Sequence, residues 1–134
     1  MEIRVLTTKY LTCILATIAL SVAQTLISKD TSWSDDLILR KSVIVSENAT
    51  LTIKDGVSVF IDYVDTDKDE VGDIEISVFG SININGTHES MVAIKPVQNT
   101  VNKSYWKGIT IHESTSISIV DFLKLSNAQT CLNT

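Results

Sequence analysis

Between Ser81 and Ile111 the chain is a series of very short apolar alternations: Ile82 with Ile84, Val92 with Ile94, and Ile109 with Ile111. Turn formers separate them, namely Asn85, Gly86, Pro96 and Gly108. A spacing of two places side chains on one face of a strand, whereas a helix needs spacings of three and four. The stretch therefore excludes helix, and each run is too short to be stable in an isolated hairpin. The same grammar extends both ways. Val43 and Val45 alternate with Ile44; Leu51 and Ile53 follow the turn Ser46-Glu47-Asn48; Lys54-Asp55-Gly56 leads into Val57, Val59 and Ile61. After an acidic interruption at 64–73 come Ile74, Ile76 and Val78, and past Ile111 come Ile117 with Ile119 and Leu123 with Leu125. Val, Ile and Thr dominate these runs, as suits strands.

Such short strands can bury their apolar side chains if the chain coils, so that each strand stacks on its equivalent in the next coil. This predicts an all-β, single-chain parallel β-helix (a solenoid) whose loops project outward and are free to vary in length. The rival is an antiparallel β-sandwich, which calls for longer strands at more even spacing.

The chain is 134 residues long, at most one domain. Residues 1–23 read as a secretory signal peptide: Arg4 and Lys9, then a mostly apolar run from Tyr10, then Ser21-Val22-Ala23 as a small-x-small cleavage site before Gln24. If that segment is cleaved, no stable membrane span remains. Residues 24–36 read as a polar lead-in or cap containing Trp33, and residues 37–134 as the coils. Cleavage would remove Glu2, Arg4 and Lys9, leaving 9 Lys and Arg against 15 Asp and Glu, a net charge of −6. An acidic chain without a basic stripe repels phosphates, which argues against a nucleic-acid partner. Cys13 lies in the signal segment, so Cys131 stands alone and no disulfide framework is expected; burial in the core is the commoner fate of such a cysteine, and pairing with a cysteine beyond residue 134 is the alternative. Asn48-Ala-Thr, Asn85-Gly-Thr and Asn102-Lys-Ser are candidate N-glycosylation sequons; Asn85-Gly86 is equally a turn signal.

Three pieces in order, TLTIKDGVSVFI, ISVFGSININGT and YWKGITI, resemble secreted right-handed parallel β-helix proteins of the pectate-lyase-like superfamily. The matching segments are Thr50–Val57, Val78–Thr87, Val92–Ile94 and Trp106–Ile109, and VDFLKLSNA at Val120–Ala128 looks like the strand-turn that follows. The resemblance covers about residues 37–128. It implies the first coils of a right-handed β-helix, with further coils and any active site beyond residue 134, so that the chain is expected to be incomplete. The fold hosts enzymes, adhesins and surface-layer proteins alike, so it does not fix a function.

The acidic run Asp65-Thr66-Asp67-Lys68-Asp69-Glu70-Val71-Gly72-Asp73 is the main chemical lead. Asp65, Asp67, Asp69 and Asp73 could converge on calcium, a hard cation that takes oxygen ligands. Against this, Glu70 stands where calcium loops place Gly, and Lys68 adds a competing charge; the alternative is a solvated acidic insertion. Trp106 is a candidate for stacking on a sugar ring, with closure of a coil edge beside Gly108 as the alternative. His88 and His112 lack partners at metal-ligand spacing, and no Ser or Cys nucleophile motif accompanies them. No catalytic residue and no cofactor other than calcium is expected. Lyases of this fold tend to use basic residues with calcium-binding acids, and Arg40 is the one Arg after residue 23. The expected function is a secreted or cell-surface segment with a structural, adhesive or carbohydrate-binding role and no catalysis of its own. The alternative is the N-terminal part of a polysaccharide lyase or glycoside hydrolase with its catalytic coils further on.

Overall fold

A computed structural model of the protein describes residues 24–99, 104–114 and 116–134. The expected signal peptide (1–23) and the sequon residue Asn102 lie outside the described residues. Within them the regular structure is all strand, and no helix is long and apolar enough to cross a membrane.

The strands come in layers of three: β1 (Gln24–Ile27), β2 (Thr31–Trp33) and β3 (Leu37–Leu39); then β4 (Ser42–Val45), β5 (Thr50–Lys54) and β6 (Ser58–Ile61). The third layer holds β7 (Glu75–Val78), β8 (Ser81–Asn85) and β9 (Val92–Pro96). The fourth holds β10 (Gly108–Ile111), β11 (Ile119–Asp121) and β12 (Leu123–Leu125), and β13 (Leu132–Asn133) follows. Each strand pairs in parallel with the strand three further on. This makes three sheets, ordered β1-β4-β7-β10-β13, β2-β5-β8-β11 and β3-β6-β9-β12. The antiparallel alternative does not occur among these pairs, and the arrangement is compatible with a parallel β-helix. The polar segment 24–36 is itself most of the first layer, because β1 and β2 pair with β4 and β5 through backbone groups that polar residues supply equally well.

The core is a set of vertical columns of like residues. Val43, Ile76 and Ile109 stack in the first sheet at equal sequence spacing. Trp33, Ile53, Ile84 and Val120 stack in the second, and Leu37, Val59, Ile94 and Leu125 in the third. Ile53, Val59, Ile76, Ile84 and Ile94 are completely buried. Each such side chain contributes about 1.5–3 kcal/mol on removal from water.

The alternation expected of Ile117 and Ile119 is out of phase with the core. Ile119 lies opposite outward Asn83, while Val120 lies over Ile84; Ile117 and Ile119 are 82% and 47% exposed. The single-residue corner Phe122, in left-handed backbone (φ 46°), joins β11 to β12 and sets this phase, with Leu123 over Val92.

Corners differ by side. The first-to-second-sheet corner at Phe79-Gly80 is tight: Gly80 lies so close to the layer below that a Cβ would run into the carbonyl oxygens of Ser46 and Ala49. The third-to-first-sheet corner instead carries 40–41, 62–74, 97–107 and 126–131 in successive layers, including the two longest connections. Insertions thus collect along one edge of the stack.

Candidate functional site

That edge is where the chemistry-bearing residues gather. Loop 62–74 is fixed at its base by Asp73 N–H donating to Val64 O (2.6 Å), Gly72 N–H to Ser104 O (2.9 Å) and Lys107 N–H to Ile74 O (2.8 Å). Above it, the rings of Tyr63 and Tyr105 meet at 5.2 Å, tilted by 51°. Within the loop, Lys68 and Glu70 take left-handed backbone (φ 60° and 69°), each costing about 1–2 kcal/mol for a residue with a Cβ. Glu70 therefore adopts the turn geometry for which glycine is the favoured residue.

The turn brings oxygens of Asp65, Asp67 and Asp73 within 4.8 Å of one another. Asp69 is not in that group; its Oδ1 accepts from Val71 N–H (2.8 Å). Asp65 also accepts from Tyr63 Oη (3.0 Å) and from the amides of Asp69 (3.2 Å) and Glu70 (3.1 Å). Burial opposes its ionisation, but these hydrogen bonds hold its carboxyl below the usual range. The hydroxyl and amide of Thr66 both donate to Asp73 Oδ2, and this, with Lys107 nearby, lowers Asp73 as well. Asp67 goes the other way, raised by loss of hydration and then by the charges of Asp69 and Asp73. Three carboxylates, two half-buried and held ionised and one exposed and crowded, form an oxygen cluster with the donor chemistry of a hard-cation site.

Trp106 is fully buried, so no face of its ring is left for a sugar. Its Nε1 donates to Ser126 O (2.9 Å), and its backbone bridges to Ala128. It plugs the fourth layer from the interior side of the same edge. Asn48 and Asn85 are both exposed. His112 stacks on Phe79 with ring centroids 4.1 Å apart, and His88 meets Phe122 edge-on at 6.3 Å. Cys131 is exposed and free, not buried in the core as expected of a lone cysteine, because it lies in the 126–131 corner and not on an inward strand position.

Two hollows flank the loops. One, about 360 Å³, lies on the third sheet and is lined by Phe60, Lys95, Gln98, Asn99, Ser126 and Asn127 together with Pro96 and Val97. Lys95 Nζ sits 5.3 Å from the Phe60 ring centroid, a cation–π contact. The other, about 390 Å³, lies beside the first sheet and includes Arg40, Lys41, Thr66, Asp73, Ile74 and Lys107. Neither was singled out from the sequence. The available signal was register: Lys41, Ile74 and Lys107 recur at the same spacing as Val43, Ile76 and Ile109, immediately before the first sheet. The chain matches no family model, no curated protein and no solved structure.

Proposed function

We propose that this chain is a secreted or cell-surface module, the first coils of a right-handed β-helix of the pectate-lyase-like kind, that holds carbohydrate without catalysis of its own. The observation that carries the reading is the hollow over Phe60. It combines an aromatic ring and Pro96 with amides (Gln98, Asn99, Asn127), the Ser126 hydroxyl and the Lys95 ammonium. An apolar ring face bordered by donors and acceptors suits a sugar, which has an apolar C–H face and a rim of hydroxyls. A rigid stack below supports it, and loops, which tolerate change, surround it.

The test uses exported protein, whose N-terminus is expected to be Gln24 by intact mass. Titration with a panel of neutral oligosaccharides is expected to give millimolar or tighter binding to at least one. Phe60→Ala is expected to weaken that binding by about tenfold, the loss of 1–1.5 kcal/mol of ring contact. Absence of binding across the panel, or unchanged binding by Phe60→Ala, overturns the carbohydrate reading. An uncleaved N-terminus overturns the secreted one.

A second element of the reading concerns loop 62–74. The convergence of Asp65, Asp67 and Asp73 favours calcium as a stabilising ligand of the edge rather than a reactant.

A further inference from the structure

The geometry points to a second binding site on the same edge, for an extended dianion rather than a neutral sugar: the hollow between Arg40-Lys41 and Lys107. It does not depend on the groove over Phe60, from which its lining residues are distinct.

Its shape follows from unequal corners in successive layers. The corner of the first layer is only Arg40-Lys41, whereas the next, 62–74, bulges outward. The step between a tight corner and a bulging one leaves the hollow, whose lining includes the apolar Ile74 and Val64. At about 390 Å³ it falls within the range of small-molecule sites and is far larger than a bare ion needs.

Its charge follows from register. Lys41, Ile74 and Lys107 precede equivalent strands of the first sheet, since Ser42, Glu75 and Gly108 lie in one column. Adjacent strands are about 4.8 Å apart, so the backbone at Arg40-Lys41 stands roughly 10 Å from the backbone at Lys107 along the stack, and that spacing sets the scale for the charges their side chains carry. In an acidic protein, cations thus mark both ends of one hollow. The layer between them contributes a carboxylate to the lining, that of Asp73. Thr66 holds Asp73 Oδ2, while Oδ1 lies 4.0 Å from Lys107 Nζ. Arg40 Nε is 3.9 Å from Asp62 Oδ2, an exposed pair that a ligand oxyanion can displace at little cost.

A plus–minus–plus order along the stack selects its ligand. A single compact anion reaches one end only, and a uniformly charged chain meets Asp73. The matching ligand has two oxyanions (carboxylates or sulfonate-like groups) about 10 Å apart, with a neutral spacer. A hydroxyl in that spacer could donate to Asp73. Arg40 offers a planar fork suited to an oxyanion, and Lys107 a mobile point charge.

The experiment is a chemical ruler. In calcium-free buffer, because Asp73 also belongs to the carboxylate cluster of loop 62–74, the full chain is titrated by calorimetry at low salt with α,ω-dicarboxylates of graded length, and separately with inorganic sulfate. Affinity is expected to peak at the length that sets the charges about 10 Å apart and to fall as salt is raised. Lys107→Gln, and Arg40→Gln combined with Lys41→Gln, are each expected to weaken the best dicarboxylate by roughly two- to fivefold and to flatten the length optimum. Lys107→Arg should retain it, and Lys124→Gln, elsewhere on the third sheet, should change nothing. Three results each overturn the site: an affinity independent of length, sulfate binding as tightly as the best dicarboxylate, or equal loss in Lys124→Gln. A failure here leaves the Phe60 groove untouched, because that groove is read with neutral sugars.

Discussion

Trp106 and Tyr105 show how neighbouring residues in one short segment come to do different work. Trp106 has an indole N–H that needs one acceptor, and Ser126 O provides it inside the edge, so the whole ring can be buried. Tyr105 is almost as buried but packs its ring against Tyr63 of loop 62–74. Burial, then the negative charge of Asp62, raise its phenol above the usual value of about 10, with a backbone hydrogen bond at Tyr63 acting in the opposite sense. The consequence has a definite sign. Above about pH 10 the unfolded chain has released this proton and the folded chain has not, so stability falls as pH rises. Tyr63 is raised for related reasons, led by lost hydration and the Asp65 hydrogen bond, and adds to the same limb. Thermal melts taken through the alkaline range are expected to show a shallower decline for Tyr105→Phe than for the parent protein. Parallel declines would remove Tyr105 from the explanation. The aromatic pair Tyr105-Trp106 was conspicuous in the sequence. Which ring went inward was not, because that depends on where Ser126 and Ala128 arrive from the next layer.

At the scale of the element, the acidic loop has a testable division among its carboxylates. Asp65, Asp67 and Asp73 face one another, and Asp69 serves the backbone of its own turn. Calorimetry of the full chain with calcium is expected to give a dissociation constant on the order of 10⁻⁴–10⁻³ M, as in extracellular calcium modules. Asp67→Asn is expected to abolish the heat and Asp69→Asn to preserve most of it. No heat at millimolar calcium ends the calcium reading, and equal loss in both variants ends the division. The alternation of carboxylates was plain in the sequence. The fold of the turn was not, because it rests on Lys68 and Glu70 entering left-handed backbone, which their residue types disfavour. Strand β11 teaches the same lesson. Ile117 and Ile119 alternate correctly in isolation, yet Val120 is the residue placed over Ile84. A one-residue slip in register moves every side chain to the other face, and here the register is set by the Phe122 corner rather than by local hydrophobicity.

At the scale of the molecule, stability should depend on depth in the stack. Ile84 is fully buried in the middle of its column, between Ile53 and Val120. Val120 lies in the fourth layer and is 37% exposed. Ile84→Ala is expected to cost about 2–5 kcal/mol, and Val120→Ala under about 1 kcal/mol. Denaturant unfolding of both variants measures the contrast, and equal losses would contradict a layered core. The stacked architecture was legible because Val43–Val45, Leu51–Ile53 and Ile82–Ile84 repeat a pattern that only vertical pairing can bury. The layer membership of Gln24–Ile27 was hidden, since hydrogen bonds between parallel strands leave little trace in side-chain composition.

The topology also sets how the molecule responds to being pulled. In the first sheet, β1 lies at one edge and β13 at the other, so the two ends of the described chain sit at opposite ends of the stack. Tension applied through them runs along the hydrogen bonds between layers instead of across them. Rungs loaded in that direction open in succession, like a zip, and are not sheared together. Each opened layer would release the length held in its corner, that of 62–74 among them. A protein built this way is expected to lengthen under tension in steps and not to fail in a single break.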